Sequence, residues 1–190
     1  MMKTKLFFTF LSLLLLNGCS SHNTFYILST ASSPKTVYPL KSSIIGVESI
    51  VVPRYLFKRE IAIAISSHEV DFLADASWAE DLNEGLTRRL INFLQKKFQL
   101  GSIYHYPWNL SQAADFKVTV HISRFIFLDG FVYLEADWQV YKAIKSQSFS
   151  KLSSIKIPTL NNKNSIVRAM DLAFAELEVE IADTLIRVSD

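Results

Sequence analysis

Between residues 115 and 140 apolar and polar side chains alternate with a period of two, and this run restricts the fold more than any other. Phe116, Val118, Val120 and Ile122 alternate with Lys117, Thr119 and His121. Val132, Leu134, Ala136, Trp138 and Val140 alternate with Tyr133, Glu135, Asp137 and Gln139. Between the two halves stands Asp129-Gly130, a pair that tolerates the positive φ angles a type I′ turn demands. A two-residue turn there pairs Phe127 with Val132, Phe125 with Leu134 and Arg124 with Glu135. Continued without interruption, it would set Ile122 opposite Asp137 and put the apolar faces out of register. One extra residue near Ser123 restores agreement, so the sequence predicts a β-bulge there. A long hairpin with one apolar face needs a second layer to cover it.

Two helical patterns supply that layer. Leu82, Leu86, Leu90, Phe93 or Leu94, and Phe98 recur at helical spacing, and Gly101 is the expected stop. Ser77-Trp78-Ala79-Glu80 fits a capping box at the start of this helix, with Glu80 and Asp81 in the first turn, where negative charge offsets the helix dipole. Near the end of the chain Asn164 or Ser165 is expected to cap a second helix with a buried stripe of Ile166, Met170, Ala173, Leu177, Ile181 and Leu185. Asp171, Glu178 and Asp183 lie elsewhere on its wheel. A coiled-coil or amphipathic membrane helix is the alternative for this segment. Its short stripe and acidic polar face favour packing on the domain's own sheet.

The remaining strands are shorter. Residues 25–28 read as a first strand, 31–43 as loop, and 44–52 as a β-branched strand stopped by Pro53, which has no N–H for a sheet ladder. Residues 60–66 and 70–73 read as a hairpin, and 149–157 as a late strand ended by Pro158. The expected fold class is therefore α+β: a two-layer domain with a predominantly antiparallel sheet and two main helices packed against it.

The opening segment is of a different kind. Lys3 and Lys5 precede an apolar run over residues 6–16, broken only by Thr9 and Ser12, and Leu16-Asn17-Gly18-Cys19 follows with the only cysteine of the chain. The run is too short for a stable span, which needs roughly 20 residues. It reads as a secretory signal, and its last four residues resemble the bacterial lipobox. Residues 1–18 are expected to be removed, Cys19 to carry a diacylglycerol and an N-acyl chain, 19–24 to form a lipidated tether and 25–190 one domain. Several acyl chains meet the two-anchor requirement for lasting membrane attachment.

Loss of two lysines with the leader takes the formal charge from +2 to zero. Near-neutrality argues against nucleic acid, since phosphate binding needs a concentrated basic face. The nearest basic group, Arg88-Arg89 with Lys96-Lys97, sits toward a helix end where cations are favoured anyway. His22, His68, His105 and His121 lack ligand spacing, so no metal site is expected. No Gly-rich phosphate loop or nucleophile elbow is present, and His121 with Ser123 lacks an evident partner carboxylate. No enzyme activity and no cofactor beyond the Cys19 lipid are expected.

Val51-Val52-Pro53-Arg54-Tyr55-Leu56, a charged Lys58-Arg59-Glu60, Trp78-Ala79-Glu80-Asp81-Leu82 and Leu134-Glu135-Ala136-Asp137-Trp138 follow one another in that order. In this order the chain resembles the ABC-type transport auxiliary lipoproteins, the PqiC/YmbA-like (paraquat-inducible protein C) family. The resemblance implies an outer-membrane-anchored periplasmic subunit. It would work beside an inner-membrane ABC and permease complex whose MCE-domain proteins bridge the periplasm, moving lipid and supporting envelope integrity. Ser20 after Cys19 accords with outer-membrane sorting, and a homo-oligomer is compatible with this reading. Pro53, Arg54, Tyr55 and Leu56 are candidate partner contacts, with core capping by Tyr55 and Leu56 as the alternative. Trp78, Ala79, Glu80, Leu82, Leu134 and Trp138 are expected to be structural. Two other roles stay open: a lipid carrier with an unfilled interior lined by Phe116, Phe125, Phe127 and Trp138, and a pilot lipoprotein for another outer-membrane complex.

Overall fold

The computed structural model describes residues 23–28, 33–40, 43–108 and 112–189. The lipobox-like tetrapeptide, Leu16-Asn17-Gly18-Cys19, lies outside the described residues. Eight strands form one open, mostly antiparallel sheet: β1 (Thr24–Tyr26), β2 (Ile45–Glu48), β3 (Glu60–Ala64), β4 (Val70–Trp78), β5 (Ile103–Tyr106), β6 (Phe116–Leu128), β7 (Phe131–Lys142) and β8 (Gln147–Pro158). Two helices, α1 (Leu82–Phe98) and α2 (Lys163–Ser189), pack against it. The domain is α+β with two layers, as the patterning requires. No helix among the described residues is long and apolar enough to cross a membrane.

The β6–β7 hairpin forms in the expected register: Phe127 faces Val132, Phe125 faces Leu134 and Arg124 faces Glu135. Asp129 and Gly130 both take positive φ, 47° and 78°. The register shifts between Ile122 and Arg124, so Ser123 is the bulged residue and Ile122 faces Ala136. That single insertion keeps Val118, Val120, Ile122, Phe125 and Phe127 all buried. β8 extends the hairpin from Gln147, two residues before the expected start, and pairs only with β7.

The other edge of β6 is divided. Its first residues pair in parallel with β2, and a bridge from Val51 to His121 continues that contact. Its last residues meet β3, with Phe127 opposite Ile63. Outward from these, β2 carries β5, while β3 carries β4 and then β1. The strand expected over 44–52 is cut short at Glu48, and the chain rejoins β6 only through the Val51 bridge before crossing toward β3. A Cβ on Gly46 of β2 would lie 2.9 Å from the Trp108 ring, so any side chain there would have to displace that ring.

α1 covers β2 and β5, α2 covers β7 and β8, and the two helices touch each other. Every residue of both expected stripes is buried. Burying a Leu, Ile or Phe contributes about 1.5–3 kcal/mol each, so these stripes hold the layers together. Tyr38 and Leu40 donate backbone N–H groups to the Lys97 and Phe98 carbonyls, satisfying acceptors that a helix end leaves open.

Three helix boundaries differ from expectation. Ser77 and Trp78 belong to β4, where Ser77 faces Glu60 on one side and Phe25 on the other, so the capping box does not form. Asp81 instead takes the extended conformation just before α1, and no side chain caps its first turn. Gln99, at φ 50°, makes the left-handed turn expected of Gly101. α2 begins at Lys163 rather than after Asn164 or Ser165, and the Asn162 side chain accepts a hydrogen bond from the Ser165 N–H at 3.0 Å.

Candidate functional site

Residues 49–59 bridge the divided edge of β6, and here the sequence motif 53–56 is found. Ile50 N–H donates to Thr87 Oγ1 of α1 at 2.9 Å, and Val51 pairs with β6, so the entry to the segment is fixed on both layers. Pro53 then starts a single 3-10 turn over Arg54–Phe57. Leu56 is buried in the core, and the Tyr55 ring packs partly against it.

The Tyr55 hydroxyl accepts a hydrogen bond from the Phe125 N–H at 3.2 Å. Phe125 lies in the gap where β6 has left β2 and not yet met β3, beside the bulge at Ser123. Its N–H has no strand partner on that edge, and the tyrosine supplies the acceptor in its place. Burial raises the Tyr55 pKa above its usual value, opposed by the Phe125 hydrogen bond and by Arg124. The turn expected to present Tyr55 and Leu56 to a partner thus directs both inward. What it displays is Arg54 and, unexpectedly, Phe57, with Val51 exposed nearby. Phe57 escapes a search for periodicity because a 3-10 turn imposes neither helical nor strand alternation.

The remaining motif residues hold the frame. Trp78 is buried and its N–H donates to the Arg59 carbonyl at 2.6 Å; Ala79 N–H donates to the Tyr26 carbonyl at 2.8 Å. Leu82 and Leu134 are core residues. Glu80 turns back across the first turn of α1 and takes Arg88 at 2.5 and 2.6 Å. The buried Trp138 indole donates to Ser153 Oγ at 2.9 Å, and that hydroxyl donates to Glu180, which also pairs with Lys151. His121 does have a carboxylate neighbour, Asp137, at 3.5 Å across the strand pair, though both groups lie in the open.

A second polar constellation went unread in the sequence. Arg89 of α1 is buried and binds Glu178 of α2 through two parallel contacts of 3.2 Å each, together with the Asp171 carboxylate. The Arg89 guanidinium also lies 5.4 Å from the centre of the Phe174 ring. Glu178, placed on the polar side of its helix by the wheel, is in fact wholly buried. Desolvation lifts its pKa from 4.5 to about 7, against the lowering pull of Arg89. One signal was available: Arg89 stands three residues after Leu86 and four before Phe93, and Glu178 stands four after Phe174 and three before Ile181. Both charges therefore fall inside the apolar stripes of their helices, and their signs are opposite.

The model of the ABC-type transport auxiliary lipoprotein components matches residues 26–182. The chain belongs to that family. No curated protein matches it. Among solved structures, an uncharacterised protein at 18% identity aligns over 86% of this chain and 99% of its own, with a TM-score of 0.68. A Xanthomonas campestris protein of the DUF330 family, at 14% identity, aligns over 84% and 92% with a TM-score of 0.70. At these identities the likeness is one of fold. The family match identifies the domain as an auxiliary component of ABC-type transport and a lipoprotein. In this chain the 53–56 turn, the Trp78–Leu82 segment and the Leu134–Trp138 stretch lie at joints of the sheet: the fork beside β6, the exit from β4, and the middle of β7.

Proposed function

We propose that this lipoprotein is the non-enzymatic periplasmic subunit of an MCE-type ABC lipid-transport system, anchored to the outer membrane through acylated Cys19 and supporting envelope integrity. The observation that carries the reading is the family match over nearly the whole domain, in a chain whose only cysteine closes a lipobox-like tetrapeptide. The fold is consistent with a fitting between larger assemblies. Arg54 and Phe57 project from a turn whose other two residues are locked into the core, so a contact there would be presented rigidly, at little ordering cost. Arginine and aromatic residues are the types that most often anchor protein interfaces. A lipid carrier is less well supported, because Phe116, Phe125, Phe127 and Trp138 all join the packed core.

The test is crosslinking capture from membranes with the tagged full-length protein. Recovery of an MCE-domain protein with its permease and ATPase is the expected result. Recovery of an unrelated outer-membrane complex would favour a pilot role, and phospholipid retained by the delipidated protein would favour a carrier. Arg54→Ala combined with Phe57→Ala should cut partner recovery several-fold while the thermal unfolding midpoint stays near that of the parent. Undiminished recovery would remove the turn from the docking surface.

A further inference from the structure

We infer that the β1 edge, through Phe25 and Ile27, rests in the interfacial layer of the membrane to which the chain is tethered. The inference depends on acylation of Cys19 and adds to it a defined orientation of the domain.

Covalent geometry supplies the first step. Thr24 is five steps along the chain from Cys19, and a fully extended chain gains at most about 3.6 Å per step, so β1 starts no farther than about 18 Å from the anchored residue. A domain of this length has a radius of gyration of about 15 Å, so the leash is shorter than the body is wide. Whatever the orientation, the start of β1 therefore stays within about 18 Å of the anchored residue.

The surface of β1 is the second and independent step. β1 is the outermost strand on its side of the sheet, paired only with β4. Its side chains divide between two directions. Thr24 Oγ1 accepts from the Lys163 ammonium of α2 at 3.4 Å, and the Tyr26 hydroxyl donates to the Asn164 side chain at 2.6 Å. Alternation along a strand sends Phe25 the other way. Phe25 is 62% exposed and Ile27 61%. Exposed strand edges in soluble domains are ordinarily blunted by lysine, proline or other charged groups. Residues 23–28, Asn-Thr-Phe-Tyr-Ile-Leu, contain none of these. Ile144 and Leu152 are exposed as well, but Leu152 lies in β8, at the opposite edge of the sheet from β1, and Ile144 stands just before that strand. Scattered single residues of that kind are normal on any surface.

The flanking charges are mixed. Arg59 pairs with Asp81 at 3.7 Å, and Glu60 lies in the same cross-strand row as Phe25 and Ser77. The contact is therefore apolar in character, and salt should not release it. An aromatic ring and a branched aliphatic chain beside an acyl anchor match the interfacial region, where both partition favourably.

Because Cys19 carries its lipid as a thioether, an introduced cysteine would be the only free thiol. Full-length lipidated Ile27→Cys and Leu152→Cys, each labelled with an environment-sensitive fluorophore, are placed in vesicles of phosphatidylethanolamine and phosphatidylglycerol. Vesicle flotation reports the anchor; quenching by doxyl-labelled lipid reports the contact. The expected result is flotation of both variants, with a blue-shifted, several-fold more strongly quenched probe at residue 27 and a water-like probe at residue 152. A floating protein whose probe at residue 27 is as unquenched as that at 152 would overturn the contact and leave the anchor standing. Shielding at residue 27 that follows protein concentration rather than quencher lipid would overturn it in favour of a second copy. Failure to float would overturn the acylation reading and this inference with it.

Discussion

Arg88 and Arg89 are consecutive residues of one helix, and each holds a carboxylate. Arg88 has a side chain 58% exposed and reaches back to Glu80 on the same segment. Arg89 has a side chain only 2% exposed and crosses to Glu178, which is 0% exposed, on the other helix. A step of 100° around the helix axis separates a pair in water from a pair in the core. In water the Coulomb gain is largely cancelled by solvation and by the side-chain entropy lost in forming the pair. In the core both charges have given up hydration, so each depends on the other to remain there at all. The comparison shows that the ion pair between α1 and α2 is better regarded as a registration pin than as a source of net stability. It admits one relative placement of the helices and penalises the rest.

The strongest way to break this distinction is to remove one half of the buried pair. Arg89→Met keeps most of the apolar stem volume but strands Glu178, and at pH 8 it should cost about 3–5 kcal/mol of unfolding free energy. Chemical denaturation with matched m-values would measure this. Adding Glu178→Leu to the same chain should recover most of the loss, since an apolar replacement of a whole buried pair is often neutral. A single variant as stable as the parent would mean that Glu178 has no need of its partner.

A smaller effect separates burial from pairing. Glu178 has its pKa raised to about 7 from 4.5, with desolvation outweighing Arg89. Below pH 4.5 the carboxyl is protonated in folded and unfolded chains alike. Between 4.5 and 7 the unfolded chain releases a proton that the folded chain retains, so stability falls as pH rises; above about 7 the curve levels off. The whole descent should amount to about 3 kcal/mol. Glu178→Gln should lack it, so the difference between the two proteins, followed by urea unfolding from pH 4.5 to 8, isolates this one group. A difference that does not change with pH would mean that Arg89 keeps Glu178 ionised throughout and that attraction, rather than burial, rules the site.

The same contrast between local and distant determinants governs what could be read from the sequence. The β6–β7 hairpin was legible down to the bulged Ser123, because turn chemistry and a period of two are both local and must agree across twelve pairs. The helix stripes were legible for the same reason. Ser77 to Glu80 was misread because its local pattern satisfies a capping box, while two neighbouring strands, β1 and β3, claim Ser77 for the sheet. The fork in the sheet left no trace in the pattern, since it is a property of which strands share one edge of β6. Tyr55 turns inward and Phe57 stays outside for that reason: the hydroxyl of Tyr55 is drawn in by an N–H that only the fork leaves unpaired. The candidate docking turn was thus legible as a place, and its outward residues were not.

The weakest expected effect concerns Arg88 and bears on the same misreading. With Glu80 30% exposed and Arg88 more so, removal of the guanidinium by Arg88→Ala should cost at most about 1 kcal/mol, and less at high ionic strength. Yet the first turn of α1 has no side-chain cap, and the Glu80 carboxylate lies across it, 3.0 Å from where a Cβ on Gly85 would stand. If Arg88 holds Glu80 in that place, the pair performs the task the capping box was expected to perform, with an arginine one turn later in place of a serine three residues earlier. Denaturation of Arg88→Ala at low salt and in molar salt decides between the two. A small, salt-screened loss makes this an ordinary surface pair. A loss of about 2 kcal/mol that salt does not diminish, the size of a strong helix cap, makes it the clasp of the helix start.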